Sequence, residues 1–76
     1  MAAREVMRLI ERNGGILLHQ RGSHRQYEAR VILADGTEVT ARTTVAQHVG
    51  DVRPGTLRAI ERDLEPVFGK RWLKGR

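Results

Sequence analysis

The first thirteen residues place apolar and charged side chains with the period of an α-helix. Val6, Leu9 and Ile10 recur three and four residues apart, and charged side chains fill the other face. An apolar stripe against a charged face is typical of an amphipathic helix that packs on a core. Asn13-Gly14-Gly15 comes next, and these residues tolerate the positive φ that a helix end commonly requires. The pattern predicts a helix over residues 3–13.

The middle of the chain changes to the period of two that marks β-strands. The segment Ile16-Leu17-Leu18-His19-Gln20-Arg21 predicts a first strand, which ends at a turn formed by Gly22-Ser23. From Arg25 onward apolar and polar positions alternate, and the apolar set is expected to face the core. The apolar set is Tyr27, Ala29, Val31 and Leu33, and the polar set is His24, Gln26, Glu28 and Arg30.

A return strand is predicted after Asp35-Gly36, because both of these positions accept the positive φ of a tight hairpin turn. Residues 37–43 form that strand, so the centre of the chain is interpreted as a three-stranded antiparallel meander. The stretch from Thr44 to Arg53 has neither period and is interpreted as a loop.

A second helix is predicted over residues 54–65. Pro54 suits its first turn, where a missing N–H is not needed, and Leu57, Ile60 and Leu64 supply an apolar stripe. Pro66 is expected to end this helix, and the apolar residues beyond it are expected to dock as a short cap. The order predicts an α+β fold, α-β-β-β-α, with both helices on one face of the antiparallel sheet.

The length of 76 residues limits the chain to one expected domain, residues 1–76, in which 66–76 form a C-terminal extension. Cysteine is absent, which excludes a disulfide framework, a thiolate zinc site and a cysteine nucleophile. No apolar run approaches the roughly 20 residues that span a bilayer, and the N-terminus lacks a secretory pattern. We therefore expect a cytoplasmic location and no membrane contact.

The charge of the chain favours a polyanionic partner. Fourteen Lys and Arg against nine Asp and Glu give a formal charge of +5, and most of the basic residues are Arg. An Arg side chain binds phosphate through two parallel hydrogen bonds. The same composition also fits an ordinary solvated surface encoded by GC-rich DNA, so the charge alone does not decide the function.

Three histidines are the first candidates for proton transfer near neutral pH. His24 directly follows the predicted turn, lies between Arg21 and Arg25 in the sequence, and points away from the core by alternation. Cleavage of an RNA backbone needs a base for the 2′-hydroxyl proton and cations that offset the charge of the phosphorane. His24 fits that chemistry, and it also fits an ordinary surface histidine in a turn.

The other polar and titratable residues give weaker evidence for a function. His19 and His48 lack the spacing of a metal site, so no metal is expected. Ser23 lacks the strand and helix context of a serine hydrolase. The start of the second helix, at Thr56, suits a phosphate or simple capping. The tail from Gly69 to Arg76 combines cations with Trp72, which is expected to cover the core rather than to stack on a base. The residues predicted to contact RNA are Arg21, Ser23, Arg25, Arg42, Thr56, Lys70 and Arg71.

Three segments resemble the HicA family of bacterial toxins. Residues 20–27, Gln-Arg-Gly-Ser-His-Arg-Gln-Tyr, are similar to that family's Gln-(Lys/Arg)-Gly-Ser-His-x-x-(Phe/Tyr) segment. Residues 4–14 resemble its opening helix, and residues 54–60 resemble its Pro-Gly-Thr-Leu-Arg-x-Ile signature. The three segments occur in the family's order and span most of the chain.

This resemblance implies a fold like a double-stranded-RNA-binding domain. It also implies a type II toxin that inhibits translation by cleaving mRNA and is held inactive by a HicB-like antitoxin, with no metal or organic cofactor. His24 takes the place of the family's catalytic histidine. Family members commonly carry Pro-x-His before the second helix, whereas this chain has Ala46-Gln47-His48.

The resulting hypothesis is an endoribonuclease, monomeric when free, in which His24 is the general base and Arg21 and Arg25 hold the scissile phosphate. Its products would be a 2′,3′-cyclic phosphate and a 5′-hydroxyl. Two alternatives are a non-catalytic RNA- or DNA-binding module and an adaptor that binds an acidic protein. Neither alternative needs an imidazole at residue 24.

Overall fold

A computed structural model describes residues 1–47 and 50–73 of the chain. The elements in chain order are helix α1 (Ala3–Arg12), strands β1 (Ile16–Arg21), β2 (His24–Ile32) and β3 (Glu38–Ala46), and helix α2 (Pro54–Phe68). The strands form one antiparallel sheet in the order β1-β2-β3. The predicted α+β fold, its element order and its three-stranded meander are confirmed.

Helix α1 matches the predicted segment to within one residue. The Glu5 carboxylate accepts a hydrogen bond from the Ala2 N–H at 2.9 Å, which satisfies one of the free donors at the start of the helix. Gly14 has a φ of 101°, as expected after the helix end. Gly15 is needed for a different reason, because a Cβ at that position would collide with Ile10.

Strand β2 lies in the centre of the sheet and contributes one face to the core. Tyr27 and Ala29 are buried, as the alternation predicts. Leu33 is 46% exposed, so the prediction that it packs in the core is wrong. Strand β2 ends at Ile32, and Leu33 already belongs to the hairpin connection, where its N–H donates to the Thr37 carbonyl at 2.8 Å. The predicted turn at Asp35-Gly36 is confirmed, and Gly36 has a φ of 88°.

Strand β3 begins one residue later than predicted and ends three residues later. The interpretation of residues 44–46 as loop is wrong, because Thr44, Val45 and Ala46 pair with the first three residues of β2. Val45 is buried in the core and Thr44 faces the other way. Three residues are too few to reveal the alternation of a strand in the sequence. These residues adopt strand conformation because they pair with β2.

Helix α2 continues through Pro66, where an end was predicted. Proline cannot donate the hydrogen bond of an interior helical residue. Only two helical residues follow it, and both Val67 and Phe68 pack against the core. The Gly69 N–H donates to the Glu65 carbonyl at 2.8 Å and closes the last turn. Packing of Val67 and Phe68 against the core therefore extends the helix three residues beyond its predicted end.

The core lies between the sheet and the two helices, and the residues after α2 close it. Trp72 is 7% exposed, packs edge to face on Phe68, and donates its indole N–H to the Glu61 carbonyl at 2.8 Å. The predicted covering role of Trp72 is confirmed. The buried apolar residues are Ala3, Val6, Met7, Ile10, Tyr27, Ala29, Val45, Val52, Ile60, Leu64, Trp72 and Leu73. Within residues 1–47 and 50–73, no helix is both long and apolar enough to cross a membrane.

Candidate functional site

The face of the sheet turned away from the helices presents polar side chains. It carries His24, Gln26, Glu28 and Arg30 of β2, which alternate with the residues that face the core. Directly opposed residues of antiparallel strands lie on the same face. The partners of these four residues on β1 and β3 therefore complete this surface, which we call the open face.

A β-bulge in β1 determines which of its side chains reach the open face. Leu17 pairs with Tyr27, whereas His19 pairs with Gln26, so Leu18 is an extra residue in this strand. A bulge of this kind shifts the alternation by one position. Without it His19 would oppose Arg25 on the helix side of the sheet. With it His19 and Arg21 share the open face with His24.

These residues form a shallow depression of about 240 Å³ on the open face, lined by His19, Arg21, His24, Gln26 and Thr44. His24 is the first residue of β2 and pairs directly with Arg21 on one side and Ala46 on the other. His19, Gln26 and Thr44 form the next row across the sheet. We call this surface the histidine depression. It brings together two exposed imidazoles and one exposed guanidinium group.

The turn beside His24 is held at both ends. Gly22 adopts a left-handed φ of 58°, and the Gln20 side-chain amide donates to its carbonyl at 3.0 Å. The Ser23 carbonyl accepts the Gln47 N–H at 2.6 Å, which ties the turn to the end of β3. These bonds position the backbone on both sides of His24, while its imidazole remains exposed.

Arg25 lies on the opposite face of the sheet from His24. Its Nη1 is 3.6 Å from the Met7 sulfur of α1, and its Nε is buried without a hydrogen-bond partner among the described residues. The neighbouring Tyr27 hydroxyl donates to the Glu11 carboxylate of α1 at 3.1 Å. Burial raises the pKa of Tyr27, its contact with Arg25 opposes that rise, and the Glu11 carboxylate adds to it. The structure therefore places Arg25 between β2 and α1 and does not bring it to the histidine depression.

Arg42 lies on the open face, one row beyond the depression. Its Nε is 3.0 Å from the carboxylate of Glu28, its direct partner on β2, and Arg30 contacts the same carboxylate at 3.1 Å. The hydrogen bonds from Arg42 and then Arg30 lower the pKa of Glu28. Arg42 is thus an exposed cation that is already paired in this structure.

The other predicted RNA contacts lie elsewhere. Ser23 is exposed in the turn beside His24. Thr56 lies in the first turn of α2 and lines a separate cleft of about 530 Å³, together with Val45, Ala46, Asp51, Val52, Arg53 and Ile60. Lys70 and Arg71 are exposed after the end of α2. His48 and the last three residues of the cationic tail lie outside the described residues.

The sequence pattern does not place His19 on the open face. Counting alternate positions along residues 16–21 puts His19 on the same side as Leu17, and no turn residue within the strand signals the bulge. Among the described residues, no cluster of three histidine, aspartate or glutamate side chains could hold a metal ion.

One family comparison matches this chain. The model of the family described as HicA toxin of bacterial toxin-antitoxin systems matches residues 3–65, from the start of α1 to within three residues of the end of α2. No curated protein matches the chain, and no solved structure does.

Proposed function

This chain belongs to the HicA toxin family of bacterial toxin-antitoxin systems, and from that premise we propose that it is an endoribonuclease that inhibits translation by cleaving mRNA. Membership of the family implies a HicB-type antitoxin as its partner. The observation that carries the proposal is the exposed His24 imidazole beside the Arg21 guanidinium in a depression on the open face. We further propose that the toxin acts in the cytoplasm and is a monomer until the antitoxin binds.

In the proposed reaction His24 removes the proton of a ribose 2′-hydroxyl, and the resulting oxygen attacks the adjacent phosphorus. The bond from phosphorus to the 5′-oxygen breaks, which leaves a 2′,3′-cyclic phosphate and a 5′-hydroxyl. Negative charge grows on the non-bridging phosphate oxygens as the phosphorane forms. Arg21 is the cation of the depression that can offset this charge by hydrogen bonding.

The geometry assigns the neighbouring arginines different parts in this proposal. Arg25 contacts α1 from the helix side of the sheet, so it supports the position of β2 rather than the phosphate. Arg42 lies further along the open face and suits a phosphate outside the scissile linkage. Ser23, Thr56, Lys70 and Arg71 remain proposed RNA contacts on the surfaces described above.

The test is cleavage of mRNA by purified protein in the presence of EDTA, with wild type compared with His24→Gln. We expect the substitution to lower the cleavage rate by about 10²–10⁴-fold, the usual contribution of one positioned base. Its matched control is Arg62→Gln, an exposed side chain on α2 that should leave cleavage unchanged. The wild-type products should carry cyclic phosphate and 5′-hydroxyl ends.

Two outcomes would contradict the proposal. Cleavage by His24→Gln at the wild-type rate would remove His24 from the reaction. Salt-dependent RNA binding by the wild type without strand scission would instead favour a non-catalytic RNA-binding module. In cells, growth arrest on induction of the wild-type chain, relieved by co-expression of the neighbouring open reading frame, would support the toxin role.

A further inference from the structure

The proposed reaction needs a second proton transfer that His24 does not supply at the same moment. The departing 5′-oxygen must gain a proton while His24 is taking one from the 2′-hydroxyl. We propose that His19 is the general acid that protonates this 5′-oxygen. This inference rests on the proposed endoribonuclease function and names a second catalytic residue for it.

The geometry of the two strands carries the proposal. His19 is opposite Gln26, and His24 precedes Gln26 by two residues on the same face, so the two histidines are diagonal neighbours. Residues in that relation lie about 7–8 Å apart, and their Cβ atoms are somewhat closer. Both imidazoles are exposed and line the histidine depression with Arg21.

Two exposed imidazoles on diagonal neighbours can contact one phosphate group from two sides. The attacking and leaving oxygens lie on opposite sides of phosphorus in an in-line displacement. Each imidazole must come within hydrogen-bonding reach, about 3 Å, of its own oxygen. With Arg21 on the non-bridging oxygens, one histidine can face the 2′-oxygen while the other faces the 5′-oxygen.

The chemistry of the other lining residues excludes them as the acid. Gln26 and Thr44 do not exchange protons near neutral pH, and a guanidinium group such as that of Arg21 is not deprotonated in proteins. The nearest carboxylate on this face in the described residues is Glu28, which is already held by Arg42 and Arg30. Glu28 follows Gln26 by two residues on the same face and is the other diagonal neighbour of His19. The charged and titratable groups that face His19 are therefore Arg21 on its own strand and His24 and Glu28 on β2, while β3 contributes the neutral Thr44.

The proton and bond changes balance. The bond between O2′ and phosphorus forms, the bond between phosphorus and O5′ breaks, and the electron pair of the broken bond remains on O5′. His24 begins neutral and ends protonated, whereas His19 begins protonated and ends neutral. Exchange of one proton with water at each ring restores the starting state, so no co-reactant is required.

A leaving-group substitution tests the inference directly. Two oligoribonucleotides with a single cleavable linkage are compared, one with the natural 5′-oxygen and one with sulfur in its place, because a thiolate departs without protonation. We expect His19→Gln to slow cleavage of the oxygen linkage by about 10²–10⁴-fold and to cleave the sulfur linkage at nearly the wild-type rate. His24→Gln should be slow on both linkages.

The pH profiles provide a second readout. A base must be neutral and an acid protonated, so the wild-type rate should rise and then fall with pH. His19→Gln should lose the fall at high pH, and His24→Gln should lose the rise at low pH. The matched control is Thr44→Ala, which changes the lining of the depression without removing a titratable group and should act equally on both linkages.

The possible results separate this inference from the function on which it rests. If wild type cleaves RNA and His19→Gln cleaves the oxygen linkage equally fast, the acid is not His19 and the endoribonuclease function stands. Equal slowing of both linkages by His19→Gln would indicate a role in binding or folding and would also overturn the inference. If the sulfur linkage restores fast cleavage to His48→Gln but not to His19→Gln, the general acid is His48 and the inference is wrong. A wild type that cleaves neither linkage would overturn the proposed function itself.

Discussion

Adjacent residues of β2 have different roles because they lie on opposite faces of the sheet. On the helix side Arg25 and Tyr27 contact α1, through Met7 and Glu11, and most of their surface is removed from solvent. On the open face His24 remains exposed beside Arg21, with its backbone held by the turn and by β3. Proximity in the sequence to a candidate catalytic residue therefore does not assign a role. The side of the strand decides whether a cation can reach a substrate or supports the fold.

Among variants that test the two faces of β2, the largest effect is expected from replacing Arg21 and Arg25 by alanine one at a time. Arg21→Ala should lower kcat/KM for RNA by about 10²-fold, because a group that offsets transition-state charge is lost. Its thermal unfolding should stay close to that of the wild type, since the side chain is exposed. Arg25→Ala should lower the unfolding temperature, because packing against Met7 is lost, and should keep most activity while folded. Lost activity at an unchanged unfolding temperature in Arg25→Ala, together with a destabilised but active Arg21→Ala, would contradict the roles assigned to the two arginines.

A smaller effect is expected on the helix side from Tyr27→Phe. The substitution removes the hydrogen bond to Glu11 and keeps the buried ring, so the free energy of unfolding should fall by about 1 kcal/mol. Urea denaturation measures this change, and RNA cleavage under folding conditions should be unaltered. Glu11→Gln is the matched variant, because an amide oxygen still accepts the tyrosine hydrogen bond. A loss of cleavage by Tyr27→Phe without loss of stability would link this face to the reaction.

The smallest expected effect concerns Glu28 on the open face. Hydrogen bonds from Arg42 and Arg30 lower its pKa in the folded chain, so the ionised form stabilises the fold at neutral pH. That contribution is present above the ordinary glutamate pKa and is lost as the pH falls through the lowered pKa of the folded state. Unfolding measured across acidic pH should therefore be slightly less pH-dependent for Glu28→Gln, and the difference should shrink in high salt. An unchanged pH dependence would mean that these exposed ion pairs contribute nothing to stability.

Much of the architecture could be predicted from the sequence, because it depends on local periodicity and turn chemistry. The stripe of α1 and the turns at Gly14 and Gly36 are signals of this kind. The two larger errors at element ends have a different cause. Strand pairing extends β3 to Ala46, and apolar packing carries α2 past Pro66, so contacts distant in the sequence outweigh local preference.

The candidate site was predictable in part. The alternation that puts Tyr27 in the core also puts Arg25 on the core side, so the sequence pattern of β2 already indicated which way Arg25 faces. The position of His19 on the open face could not be predicted. A bulge depends on how two strands pair, and the residue spacing of β1 alone does not reveal it.

The extra residue in β1 also lets the two ends of that strand face opposite sides of the sheet. Leu17 pairs with Tyr27 on the helix side of the sheet, whereas His19 and Arg21 pair with residues of the open face. One short strand thus turns an apolar side chain toward the helices at its beginning and two basic side chains toward the open face at its end, and the extra residue makes both arrangements compatible.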